Sequence, residues 1–277
     1  MLSVAAEGAA LALCGAAMQG LLRNPLADGS TLGVASGASL GAAVAIVTGF
    51  SLPGLALGGT AMMAILFAML SLFLLLSLAW ALDRSLATET VILLGVIWSM
   101  LVSSLLSLLI TFSGEKLRTI TFWTMGSLSG AGYEEAGLLW AALLLCGGVL
   151  ISQCRELDML SMGEIQAIHL GVDARRVRLT VLIAASVLVG VCVSVGGCIG
   201  FVGLAVPHIL RLVMGPGHRT LLPASVFGGA VFLLLADLLA RTAFAPNELP
   251  IGVVTSIVGA FVFIGAFARR RKAGVRG

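Results

Sequence analysis

The sequence is poor in charge. Aspartate, glutamate, lysine and arginine make up 10% of its 277 residues, whereas 59% are hydrophobic. A soluble domain carries about 25% charged residues, and a chain this poor in them could not cover a water-facing surface. Its two lysines, Lys116 and Lys272, stand outside any GK[ST] phosphate loop. It therefore lacks a Walker A motif with which to act as its own ATPase. There is no HExxH, and the five cysteines (Cys14, Cys146, Cys154, Cys192, Cys198) show no CxxC spacing. They read as small core residues rather than metal ligands or disulfides. Gly37-Ala38-Ser39-Leu40-Gly41 matches GxSxG, but it lies in an apolar helix rather than the strand–turn–helix elbow a nucleophilic serine needs. No catalytic residue, metal or cofactor is expected, and no nucleic-acid partner. No basic stretch precedes the first apolar run, as a cleaved signal peptide would require.

What the sequence does contain is long charge-free runs. No Asp, Glu, Lys or Arg lies between Asp28 and Asp83, room for two spans of about 20 residues each, with Phe50-Ser51-Leu52-Pro53-Gly54 as the turn. Similar runs cover Thr90–Gly114, Ala136–Cys154, Leu179–Leu210 and Leu249–Ala268. The expected fold is all-α: a polytopic transmembrane helical bundle forming one domain over residues 1–277, with about nine spans. These lie near 2–22, 31–49, 54–80, 89–112, 135–153, 179–199, 203–214, 221–243 and 250–268. The seventh is short and holds Pro207, as a broken or half-spanning helix would. Gly33, Gly37 and Gly41 form a GxxxGxxxG row, and Gly196 pairs with Gly200. Such spacing lets helix backbones approach closely.

With the C-terminal tail in the cytoplasm, 13 basic residues fall inside: Arg23, Arg84, Arg155, Arg175, Arg176, Arg178, Arg211, Arg219, Arg269, Arg270, Arg271, Lys272 and Arg276. Lys116, Arg118 and Arg241 make 3 outside. The positive-inside rule favours that orientation. Residues 114–134, with Phe122 and Trp123, suit either an interfacial helix or a plain loop. Residues 154–178 form the longest cytoplasmic loop and read as two short helices. There Ser161 and Glu164 match a capping box, Gly171 is placed for a left-handed cap, and Asp173 can cap the next helix. Intramembrane charge is scarce. Asp237, one turn from Arg241, is the clear candidate and reads as an i,i+4 pair, although Glu7 also falls in an embedded stretch. Ion-coupled carriers usually keep acidic groups inside the bundle, so an external motor is the natural inference, with an ion-coupled secondary transporter as the alternative.

Several segments resemble the FecCD-type permease family, which imports iron-siderophores, haem and vitamin B12. They are Leu22-Arg23-Asn24-Pro25-Leu26-Ala27-Asp28 with Leu32-Gly33-Val34-Ala35-Ser36-Gly37-Ala38; Trp123-Thr124-Met125-Gly126-Ser127-Leu128-Ser129-Gly130; Gly200-Phe201-Val202-Gly203-Leu204-Ala205-Val206-Pro207-His208-Ile209-Leu210-Arg211; and Leu235–Arg241 with Glu248–Thr255. The resemblance implies a fold like that of the vitamin B12 importer permease and a homodimer with a second copy of the chain. It also implies cytoplasmic ATPase subunits and a substrate-binding protein outside the bacterial inner membrane. It makes the 158–176 helix pair the ATPase-coupling element, with Ser161, Glu164, Gly171, Asp173, Arg175 and Arg176 as its residues. It places the cytoplasmic gate at Thr88 and Glu89, where the family is often small, and gives Arg241 a docking role toward the binding protein. The chain begins where the family's second span begins, so the first span and its basic loop are expected to be missing.

Overall fold

The computed structural model describes residues 1–29, 32–51, 58–84 and 86–274, with side chains as far as residue 265. The chain order is α1 (Leu2–Leu21), α2 (Val34–Thr48), α3 (Gly59–Leu82), α4 (Thr88–Thr111), a short 3-10 turn (Gly114–Lys116), α5 (Leu117–Thr124) and α6 (Tyr133–Ser152). It continues through α7 (Cys154–Ser161), α8 (Glu164–His169), α9 (Ala174–Gly196), α10 (Val202–Met214), α11 (His218–Thr242) and α12 (Ile251–Gly274). The described residues include no strand.

The all-α transmembrane class holds, but the count of about nine spans is not confirmed. Among the described residues, six helices are long and apolar enough to cross a membrane: α1, α3, α4, α6, α9 and α11. Three shorter apolar helices, Val34–Thr48, Val202–Met214 and Ile251–Gly265, occupy the places of the second, seventh and ninth expected spans. The expected turn at Phe50–Gly54 falls largely outside the described residues. The side chains of Arg269, Arg270, Arg271 and Lys272, and Arg276 altogether, also lie outside them.

The core is built around α1, which is almost wholly buried. Its small residues allow this. Gly8 and Gly229 of α11 face each other so closely that a Cβ on either would collide with the other's backbone, and Gly15 sits equally close on Gly203 of α10. In lipid, such backbone approach is what holds helices together. The Gly33–Gly41 row likewise packs α2 on α3, Gly37 against Ser71 and Gly41 against Met63 and Phe67. All five cysteines are free, with Cys14, Cys154 and Cys192 buried and Cys146 and Cys198 partly so.

The short α10 is bounded by Phe201 and Gly215, both at positive φ, and holds Pro207 in its interior. Pro207 has no N–H, so the carbonyl four residues earlier, on Gly203, loses its helical donor. Gln19 of α1 replaces it, its Nε2 donating to Gly203 O at 3.0 Å, while Gln19 Oε1 accepts from Arg211 Nη1 at 3.1 Å. The turn before α10 is bent by Phe201, at φ 67°, a conformation bulky residues rarely adopt.

The bundle has two distinct ends. At one, α7 and α8 pack below the end of α1 and the starts of α9 and α11. At the other, α5 joins the ends of α2 and α9 and the start of α12. There Ser127 N–H donates to Gly196 O at 2.9 Å and Ile251 N–H to Gly126 O at 3.2 Å. Lys116 Nζ donates to the carbonyls of Ile46 and Val47 at 2.8 and 2.9 Å, so it caps the exposed carbonyl end of α2. The stretch 114–134, which the sequence leaves as helix or loop, contains a helix in α5.

Candidate functional site

Three regions carry the residues expected to act: the α7–α8 pair, the start of α4, and the end of α11. They do not converge on one pocket. The first two lie at the α7–α8 end of the bundle and the third at the α5 end.

In the first region, the cap expected at Gly171 forms. Gly171 has φ 86°. Its N–H donates to Ile168 O at 2.9 Å, and the Val172 N–H reaches back to Ala167 O at 3.0 Å. This is the Schellman arrangement, which needs a residue free to adopt positive φ. Asp173 caps α9 as expected, accepting from Arg176 N–H at 3.0 Å. Arg175 and Arg176 are exposed in the first turn of α9. The Arg176–Asp173 ion pair, 3.8 Å long and solvated, contributes little.

The capping box of Ser161 and Glu164 is not formed. Ser161 is the last residue of α7, and its hydroxyl donates to the Asp158 carbonyl at 2.6 Å. Serine side chains compete for nearby carbonyls in this way. Gly163, at φ 133°, takes the N-cap position of α8 instead. Glu164 turns inward to Arg178 Nη2 at 3.1 Å, and the Arg178 side chain is only 3% exposed. That leaves an apolar outer face on and beside α8: Met162, Ile165, Ile168 and Leu170 are 71%, 70%, 57% and 60% exposed. A cluster of this kind marks an interaction surface. Beside it, a groove of about 390 Å³ runs between Met159, Glu156, Gly171 and Arg176.

A further contact in this region, between Asp158 and His218, was not legible in the sequence. Asp158 Oδ1 accepts from the backbone N–H of His218 at 2.7 Å and lies 2.7 Å from its ring Nδ1. The Cys154 thiol donates to His218 O at 3.4 Å. Burial pushes that thiol's pKa up, which keeps it a donor. His218 is buried and rests against Gly20, where a Cβ would collide with Nε2. Only the separation of 60 residues between the partners hides the pair. Each belongs to a helix end that sequence patterns place but do not join.

In the second region, Thr88 is the first residue of α4, and Glu89 is exposed in its first turn, where negative charge suits the helix dipole. Asp83 closes the turn before it, accepting from Ala87 N–H at 2.9 Å and Thr90 Oγ1 at 3.3 Å. Farther along, α4 presents an exposed face on which Ser104, Ser107 and Thr111 hydroxyls bond back to carbonyls one turn earlier. Trp98 Nε1 donates to Ser71 Oγ, which donates to Gly33 O at 2.9 Å, so α4 is anchored to α2 and α3.

In the third region, Arg241 Nε donates to Asp237 Oδ2 at 2.8 Å, forming the pair read from the sequence, while 35% of the Arg241 side chain stays exposed. Among the described residues, no group of three or more His, Cys, Asp or Glu is arranged to hold a metal ion.

With this geometry in place, known proteins supply a frame. The model of the FecCD transport family matches residues 1–269. An uncharacterized ABC transporter permease protein of Bacillus subtilis, YvrB, is 43% identical over 269 residues, covering 96% of this chain and 76% of that protein. The vitamin B12 import system permease protein BtuC of Klebsiella pneumoniae is 43% identical over 276 residues, covering 99% of this chain and 81% of its own. A solved structure described as an inward-facing conformation of a metal-chelate type ABC transporter superposes with a TM-score of 0.90 at 36% identity, over 97% of this chain and 84% of that one.

Proposed function

Because the chain belongs to the FecCD transport family, we propose that it is the membrane-spanning subunit of an ABC importer that carries an iron-siderophore, haem or cobalamin across the bacterial inner membrane. The match over nearly the whole chain to a vitamin B12 import permease carries this reading, and it favours a corrinoid among the three cargoes. Energy comes from a separate ATPase. The exposed apolar face of Met162, Ile165, Ile168 and Leu170 is the part of the α7–α8 pair that seats on it, with Gly171, Asp173, Arg175 and Arg176 setting the pair's shape and rim charge. Glu164 acts from behind, holding α8 to α9 through Arg178, and Ser161 closes α7.

Two copies of the chain enclose the pathway. The exposed hydroxyl-bearing face of α4 supports its placement along that axis, with Thr88 and Glu89 at the cytoplasmic gate. The C-terminus is cytoplasmic, a reading supported by the 13 basic residues on that side against 3 on the other. The α5 end then faces outward, and Arg241, anchored by Asp237, meets an acidic site on the substrate-binding protein. The chain should co-purify with an ATPase subunit, and Ile165→Asp with Ile168→Asp should abolish that association while membrane level is kept. Association that survives the double change would move the docking surface away from α8. No ATPase at all would count against the importer reading.

A further inference from the structure

Resting on the importer reading, we propose that Asp158 and His218 are positioning residues of a cross-membrane linkage. In it α7 passes displacement of the ATPase-facing helices to α11, whose far end carries Arg241. α8 bears the exposed apolar face but packs on α7 and α9, so force on α8 leaves through those two helices. The Glu164–Arg178 pair serves the path into α9. The path into α11 is the Asp158–His218 joint.

That joint has an unusual construction. The N-cap of α11 is Gly217, which has no side chain with which to close the helix. Exposed N–H groups at a helix start need a partner, and α11 obtains one from Asp158, 60 residues away on another helix. The start of α11 is therefore satisfied only while α7 is in place. Carboxylate bonds of this kind are about twice as strong as neutral ones.

Downstream of the joint there is little slack. His218 is wedged against Gly20 at the end of α1, and farther along α1 and α11 meet glycine to glycine at Gly8 and Gly229. A shift of α11 must carry α1 with it. Pro223, which leaves the Arg219 carbonyl without its helical donor, lies close to the joint, and beyond it α11 runs unbroken to Thr242. Its 25 residues span about 37 Å, enough to reach from one membrane face to the other. Asp237 and Arg241 sit in its last two turns, so the rod ends at the surface expected to meet the binding protein.

The test uses the chain in complex with its ATPase subunits in lipid nanodiscs, carrying Phe244→Cys just beyond α11. Labelling by a membrane-impermeant maleimide is timed without nucleotide and with ATP plus orthovanadate, against a blank holding only the native cysteines. We expect nucleotide to change the rate about fivefold or more. Asp158→Asn, which keeps shape but not charge, should cut that change to under about twofold, and Asp158→Glu should restore most of it. Subunit stoichiometry and the KM for ATP should be unchanged throughout. A purely structural role would lower yield or thermal midpoint and leave the ratio of rates intact in the protein that survives. That result, or a wild-type complex whose labelling ignores nucleotide, would overturn the linkage. If Asp158→Asn does not assemble, His218→Pro, which removes both the ring and the backbone N–H that Asp158 caps and is tolerated at the first residue of a helix, must show the same loss. A wild-type chain that binds no ATPase would overturn the importer reading, and the linkage with it.

Discussion

At the scale of single residues, Glu7 is a buried polar group that packing does not explain. Glu7 of α1 is fully buried, and neither carboxylate oxygen has a hydrogen-bond partner among the described residues. It lies against Gly196, where a Cβ would collide with its carboxyl group. An unpartnered buried polar group costs about 1–3 kcal/mol by protein mutational measures. Glu7→Met should therefore raise the thermal midpoint of the purified chain by several degrees. A midpoint that falls would show that Glu7 has a partner supplied by the assembly. Gly196→Ala alone should destabilise, and the loss should shrink in a Glu7→Ala background, where the space is free. Gln19 is the opposite case, a buried polar group fully used. Gln19→Leu removes the donor that Pro207 makes necessary, and it should cost about 1–3 kcal/mol in denaturant or thermal unfolding. Gln19→Glu, which keeps an acceptor for Arg211 but loses the donor to Gly203, should recover only part of that.

At the scale of elements, the sequence is informative where one helix sets its own limits. Charge-free runs place α3, α4, α6 and α9 well, because bilayer thickness fixes their length. Gly171 and Asp173 cap as expected, since each acts on its own helix. The reading that fails, the Ser161–Glu164 capping box, is undone once locally and once by a distant neighbour. Ser161 bonds backward into α7 because Gly163 takes the turn, and Glu164 is drawn to Arg178 by tertiary packing. Neither Asp158–His218 nor Gln19–Gly203 is visible in any local pattern. The Gly171 cap gives an element-scale prediction. A Cβ at Gly171 meets nothing within 4 Å, so a substitution there is penalised by backbone conformation alone. Gly171→Val should destabilise the end of α8 by about 1–2 kcal/mol and speed hydrogen exchange over 164–172. Gly171→Asn, which tolerates positive φ, should change it much less. In the intact importer, the Val variant should lose transport-coupled hydrolysis while still inserting into the membrane. Equal exchange for the two variants would mean that Gly171 does not hold the helix end.

At the scale of the whole molecule, orientation rests on the distribution of basic residues, and function on the joining of the two ends of the bundle. Single cysteines at Gly274 and Asn247 should label differently from outside intact cells, with Asn247 reachable and Gly274 shielded. Equal labelling would contradict the assigned topology. On the proposed function, energy enters at the α7–α8 end and cargo at the other. The sequence expectation of an external motor belongs to the same proposal, since ion-driven carriers usually keep acidic groups inside the bundle. The most direct measurement is uptake of radiolabelled cobalamin into proteoliposomes containing the chain, its ATPase and its binding protein. The account predicts uptake that requires ATP hydrolysis and the ATPase subunit, and that persists when ionophores collapse every ion gradient. Ferric siderophore and haem, tested in parallel, identify the cargo if it is not a corrinoid. Uptake of any of the three by the chain alone, driven by a proton or sodium gradient and indifferent to ATP, would contradict it.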